Sequence, residues 1–246
     1  MGIYDRDYYR NPPPRSNFGG NVNPWSVNTW LIVINVAVFV LNSLIVQTVF
    51  DGDGEPLGRV QPIYHLGYFS VVTAVLHAQV WRFVTFQFLH ANVNHILFNM
   101  IALFFFGPMI ESYLGSRKYL AFYLLCGVAG PVAYMVLWAL QLLHDGPATP
   151  LVGASAGIFG VLIAAATVAP DSIVLIWGIL PLRLRTFAWI LMAIAVYTVF
   201  TSGNNAGGQA AHLGGAAAGY ALIRNPRLLA PIDRLGRRVT RMRYRP

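Results

Sequence analysis

The chain has 246 residues, of which 56% are hydrophobic and only 11% charged, with a formal net charge of +8. Apolar residues gathered into long blocks exclude a disordered chain and the alternating pattern of a soluble core, and indicate an all-α membrane protein. The single cysteine, Cys126, excludes an internal disulfide and reads as packing within an apolar block.

Residues 1–29 are polar and turn-rich, with Asn11-Pro12-Pro13-Pro14, and lack the apolar stretch of a cleaved signal peptide. The first span is therefore expected to serve as the membrane signal. Six apolar blocks follow, at 30–50, 93–113, 119–143, 155–169, 186–201 and 209–223. Together they predict a six-transmembrane-helix bundle over 30–223. Crossing ~30 Å of hydrocarbon takes about 20 residues at ~1.5 Å each, so the first three blocks suffice and the last three are short. Short spans leave room for water at one end. The connection 51–92 opens on Asp51-Gly52-Asp53-Gly54 and then turns apolar and aromatic around Trp81 and Arg82, which reads as a long loop half-embedded in the outer interface. A seventh crossing there would invert everything downstream and put most of the arginines outside. Residues 224–246 form a basic tail.

With the N-terminus inside and six spans, fifteen of the seventeen basic residues fall on the cytoplasmic side and only Arg59 and Arg82 outside. Both termini are thus expected to be cytoplasmic. The positive charge reads as topology, or as anionic-lipid attraction at the tail, with no nucleic-acid partner.

This topology starts the second, fourth and sixth spans at the outer face and brings His95, Asn99, Ser155 and His212 to one depth. Polar groups are expensive in hydrocarbon and seek one another. Ser155 lies in Gly153-Ala154-Ser155-Ala156-Gly157, where a hydroxyl between small residues can meet a substrate and the His212 imidazole can take its proton. His95 and Asn99, four apart, share a helical face and suit donors to an oxyanion, with the Ser155 amide as a further candidate. Either residue alone could equally bond a neighbouring helix. Gly153 to Gly157 and Gly215 to Gly219 have the small-residue spacing of close helix packing, the seam that would bring serine to histidine. Phe159, one turn beyond Ser155, could orient the His212 ring. No carboxylate falls at this depth, since Glu111 and Asp171 belong to the opposite end and Asp145 to a loop, so a Ser–His dyad is expected. His90 and His95 lack the spacing of a zinc helix; neither metal nor cofactor is indicated. His65, His77 and His144 receive no role.

These residues resemble the rhomboid family of intramembrane serine proteases. The similarity runs over about 81–219: Trp81-Arg82, His90 through His95-Ile96-Leu97-Phe98-Asn99, Gly107 and Glu111, Gly153-Ala154-Ser155, and Ala211-His212 followed by glycines. The resemblance implies a six-helix core that cleaves transmembrane protein substrates near the membrane surface. It makes Ser155 the nucleophile, His212 the general base, and His95, Asn99 and the Ser155 amide the oxyanion hole. Ala156 stands where the family usually has glycine, and Phe159 where tyrosine is frequent; neither change removes a catalytic group.

The expected reaction is acyl transfer to Ser155, then hydrolysis by water admitted from the outer side. Small or helix-breaking residues near the outer end of a substrate helix should favour it. The alternative is a catalytically silent relative that binds transmembrane helices, which would need none of the four polar residues. A transporter would show ionisable groups at mid-membrane, where these spans have almost none. A bacterial plasma membrane suits the compact six-span form.

Overall fold

The computed structural model describes residues 26–51, 56–176 and 178–232. Most of the polar N-terminal segment and most of the basic tail, including the cluster from Arg234 to Arg245, therefore lie outside the described residues.

Six helices of 14 residues or more are present among the described residues: α1 (Val27–Leu44), α4 (Val93–Leu114), α5 (Ser116–Ala139), α6 (Ser155–Val168), α7 (Leu184–Phe200) and α8 (Ala206–Arg224). Two shorter helices, α2 (Pro62–Gly67) and α3 (Arg82–Thr85), lie between α1 and α4. Helices α1, α4 and α5 are long and apolar enough to cross a membrane, whereas α6 and α7 are apolar but shorter. The outward surfaces of α1, α4 and α7 expose large apolar side chains such as Val40, Phe105 and Trp189, which suits contact with lipid rather than water. The protein is an integral membrane protein.

The first span ends earlier than expected. Helix α1 stops at Leu44, and Gln47–Phe50 (β1) pairs antiparallel with Pro56–Val60 (β2). The run of Ile45, Val46, Val49 and Phe50 is as apolar as the helix before it, and its β-branched residues fit a strand as readily.

The long connection is folded rather than an open loop. Arg82 is buried, its Nε donating to Gln79 Oε1 (2.6 Å), Nη1 to the Tyr68 carbonyl (2.6 Å) and Nη2 to the His65 carbonyl (2.8 Å). The guanidinium also lies 4.9 Å from the Tyr68 ring centroid. Its polar partners are thus internal carbonyls, while Trp81 stays half exposed with its indole donating to the Leu66 carbonyl. Gln87 donates to the Phe83 carbonyl within the segment and fastens it to α5 by donating to the Leu124 carbonyl, and its amide lies so close over Gly127 that no side chain fits there.

At the far end of α4, Glu111 joins three helices. Its carboxylate accepts from the Val27 and Asn28 amides, both at 2.9 Å, and from Ser116 Oγ at 2.6 Å. Those amides open α1 and have no partner within it, so a buried anion at the positive helix end satisfies both hydrogen bonding and dipole. Asn28 completes the joint by accepting from Tyr119 Oη (2.7 Å) and donating to the Leu103 carbonyl (3.0 Å).

Candidate active site

Three elements meet around Ser155. Helix α8 packs most extensively on α5 and α6, and the glycines explain how closely. A Cβ on Gly215 would collide with the Ala156 carbonyl, and one on Gly219 would lie 2.5 Å from Gly160 Cα. Close backbone approach is what small residues at four-residue spacing allow, but on α6 the spacing is Ala156 to Gly160 and not the expected Gly153 to Gly157, because Gly153 precedes the helix and Gly157 faces Tyr123 of α5.

This seam brings the serine to the histidine. His212 Nε2 and Ser155 Oγ are 2.8 Å apart, within proton-transfer reach, although 57 residues separate them in sequence. The Phe159 ring stacks on His212 with centroids 4.1 Å apart and planes 10° from parallel, limiting rotation of the imidazole. On the other ring nitrogen, Nδ1 lies 3.0 Å from Gln209 Oε1. An amide oxygen only accepts, so this contact puts the ring proton on Nδ1 and leaves Nε2 free to accept from the serine. Gln209 was not singled out in the sequence: a glutamine in the first turn of a helix is ordinary. The signal that could have found it is its place three residues before His212, on the same face.

Ser155 is the first residue of α6, so its amide has no acceptor within the helix. The strand-like segment before it is held in place by the Phe69 and Leu151 backbones, which exchange both hydrogen bonds, and by the Gly153 amide donating to the Phe86 carbonyl. Gly153 has φ +129°, a conformation that favours glycine, and a Cβ there would lie 2.7 Å from His95 Nε2 and 3.5 Å from Ser155 Oγ. His95 therefore reaches the serine's surroundings. Its Nδ1 accepts from the Ala91 amide at 3.5 Å, which puts the proton of the neutral ring on Nε2, facing the site. Asn99, one turn along α4, is buried and its Nδ2 has no hydrogen-bond partner, an orphan donor that a bound oxyanion would satisfy. Beside them the His90 ring packs on His95 at 5.1 Å. Burial, reinforced by His95, pushes its imidazole down to about 3 and keeps it neutral.

The four residues predicted from sequence thus lie on α4, α6 and α8 as expected, with contact established between Ser155 and His212. Among the described residues, no group of three potential metal-ligating side chains occurs. A second serine–histidine contact, His144 Nδ1 to Ser202 Oγ at 2.7 Å, is exposed and ties together the loops after α5 and α7.

The chain is similar to known proteins. A family model described as the Rhomboid domain matches residues 77–224, more than half of the chain. The chain is 26% identical over 197 residues to rhomboid-like protease 3 of Toxoplasma gondii, covering 79% of this chain and 66% of that protein. It is 29% identical over 145 residues to the putative rhomboid protease YdcA of Bacillus subtilis, covering 59% and 65%, and 29% identical over 214 residues to the rhomboid protease AarA of Providencia stuartii, covering 82% and 72%. The chain therefore spans about two thirds of the length of these curated relatives. The matched stretch contains His95, Asn99, Ser155 and His212 together with the helices that carry them, and the chain belongs to the rhomboid family.

Proposed function

We propose that this chain is an intramembrane serine endopeptidase that hydrolyses peptide bonds in or near the transmembrane segments of other membrane proteins. The observation that carries the proposal is the 2.8 Å contact of His212 Nε2 with the Ser155 hydroxyl, on a histidine held by a stacked ring on one side and an amide on the other.

Ser155 Oγ attacks the substrate carbonyl carbon as its proton passes to His212 Nε2. The negative charge then moves onto the carbonyl oxygen, where Asn99 Nδ2, His95 Nε2–H and the Ser155 amide can donate to it. Collapse breaks the C–N bond and His212 protonates the leaving amine; water then attacks the acyl carbon as His212 accepts its proton, and His212 returns that proton to Ser155 Oγ as the acyl–oxygen bond breaks. The histidine works here as a dyad with the serine, and Gln209 holds it without exchanging a proton.

Helix α6 has 14 residues and rises only about 21 Å, so with its far end at one interface Ser155 would sit ~10 Å below the other. Water then enters from the Ser155 end. The distribution of basic residues supports assigning this end to the outer side with both termini cytoplasmic, and the compact six-span form with its basic tail suits a bacterial plasma membrane. Residues 30–223 would form the protease domain between the polar segment 1–29 and the basic tail 224–246, which anionic lipids would attract. The test is covalent labelling by a fluorophosphonate, which requires an activated serine. Label on the intact protein, lost in Ser155→Ala and in His212→Ala, supports the reading; equal labelling in all three, or none in the intact protein, would sink it.

A further inference from the structure

The connection between α6 and α7 lies at the end of the bundle opposite Ser155 and takes no part in the chemistry above. Its strands Ile173–Ile176 (β3) and Leu180–Arg183 (β4) pair antiparallel from Ile173 opposite Arg183 to Ile176 opposite Leu180. The turn uses Gly178 at φ +72°. Residues 173–182 include no charged side chain, hydroxyl or amide. One face of the hairpin leans on the bundle, with Val174 packed against the main core. The other face is bare, with Ile173 52% exposed and Leu175 59%, and toward the tip Leu180 is 55% and Ile179 84% exposed. In water this surface would be costly, since apolar area is favoured only where it is removed from water.

The base of the hairpin is charged. Arg183 Nη1 and Arg185 Nη2 lie 3.4 and 3.2 Å from the same oxygen of Asp171. Two guanidiniums on one carboxylate leave an excess positive charge, with further donors turned to solvent. Apolar tip and basic base are arranged as acyl chains and phosphates are in a leaflet. The bare surface is also continuous in sequence with α7, whose exposed Trp189, Ile190 and Ile194 suit the same lipid. The free backbone edges of a two-stranded sheet exclude deep insertion into hydrocarbon, so the hairpin fits at the headgroup and upper acyl level, ~5–10 Å deep.

We infer that the α6–α7 hairpin is a lipid anchor: Ile179, Leu180 and Leu175 enter the leaflet opposite the Ser155 end, and Arg183 and Arg185 take anionic phospholipid headgroups. Pro170 and Asp171 join the anchor directly to α6, so it fixes the depth of the helix that carries Ser155. The inference stands apart from the proteolytic reading, and its test reads lipid contact rather than cleavage.

The test uses the full chain in nanodiscs, with an environment-sensitive fluorophore on Ile179→Cys and, separately, on Leu175→Cys. Buried Cys126 stays in place, and the unsubstituted protein gives the background. Phosphatidylcholine discs are compared with discs containing roughly 30% phosphatidylglycerol. Shallow nitroxide-labelled lipids should quench both probes by about twofold or more while aqueous iodide quenches weakly. Quenching should strengthen with phosphatidylglycerol, and Arg183→Gln with Arg185→Gln should remove that dependence. Strong iodide quenching with no lipid quenching at both probes would overturn the anchor. So would probe signals that depend on two protein copies sharing a disc, which would make a second chain the occupant. Lipid quenching indifferent to phosphatidylglycerol would overturn the headgroup assignment.

Discussion

Replacing Gln209 with Ala removes the acceptor 3.0 Å from His212 Nδ1 while leaving Ser155, His212 and the Phe159 stack in place. A neutral hydrogen bond of this kind is worth about 0.5–1.5 kcal/mol, and its loss frees the imidazole to adopt the other tautomer, with the proton on Nε2. If that energy appears only in holding the reactive arrangement, kcat falls about 2- to 13-fold. KM should barely move, because Gln209 contacts the histidine and is not assigned a contact with substrate. Gln209→Glu keeps an acceptor on the same stem and should retain more activity than Gln209→Ala. The assay is cleavage of a single-span substrate in nanodiscs, with thermal unfolding of each variant as the control for folding. An unchanged kcat in Gln209→Ala, or a loss as deep as that of Ser155→Ala at normal thermal stability, would refute a positioning role.

The orphan donor of Asn99 has a sharper signature. Asn99→Ala should lower kcat by about 100- to 1,000-fold with little change in KM, as removal of one oxyanion donor does, measured with the same substrate. Gly215→Val would push its side chain into the Ala156 carbonyl. Such overpacking costs about 1–3 kcal/mol, and it should appear as a lowered Tm together with loss of fluorophosphonate labelling as α8 separates from α6. Glu111→Gln keeps the shape of the joint at the far end but weakens its charge-assisted bonds to the α1 amides. The expected loss is about 1–3 kcal/mol of stability, read as a lower midpoint in detergent-induced unfolding, with catalysis intact in the folded fraction.

Much of the site was legible because its constraints are local in sequence. The apolar blocks located the helices, and the Gly215 to Gly219 spacing on α8 marked a close approach, but its α6 side is Ala156 and Gly160, since Gly153 precedes α6 and Gly157 meets Tyr123 on α5. His95 and Asn99 shared a face by helical period alone, as did Ser155 and Phe159. What escaped reading depends on long-range pairing. The residues of β1 are as apolar as the end of α1, and only their pairing with β2 makes them a strand. Arg82 looked like an interfacial cation, but carbonyls from residues 14 and 17 positions earlier bury it. The α6–α7 hairpin falls between the apolar blocks 155–169 and 186–201, where periodicity does not distinguish a short apolar run in a strand from one in a helix. Gln209 was missed because a search for a third charged partner passes over a neutral amide that meets the same need for an acceptor.

The most direct measurement is mass analysis of the fragments of a single-span substrate co-reconstituted with the protein in liposomes. The intact chain should yield two products from one scission within or beside the substrate's transmembrane segment, and Ser155→Ala, folded to the same Tm, should yield none. Intact substrate after prolonged incubation with the wild-type chain across a panel of such substrates, or equal scission by Ser155→Ala, would contradict the account.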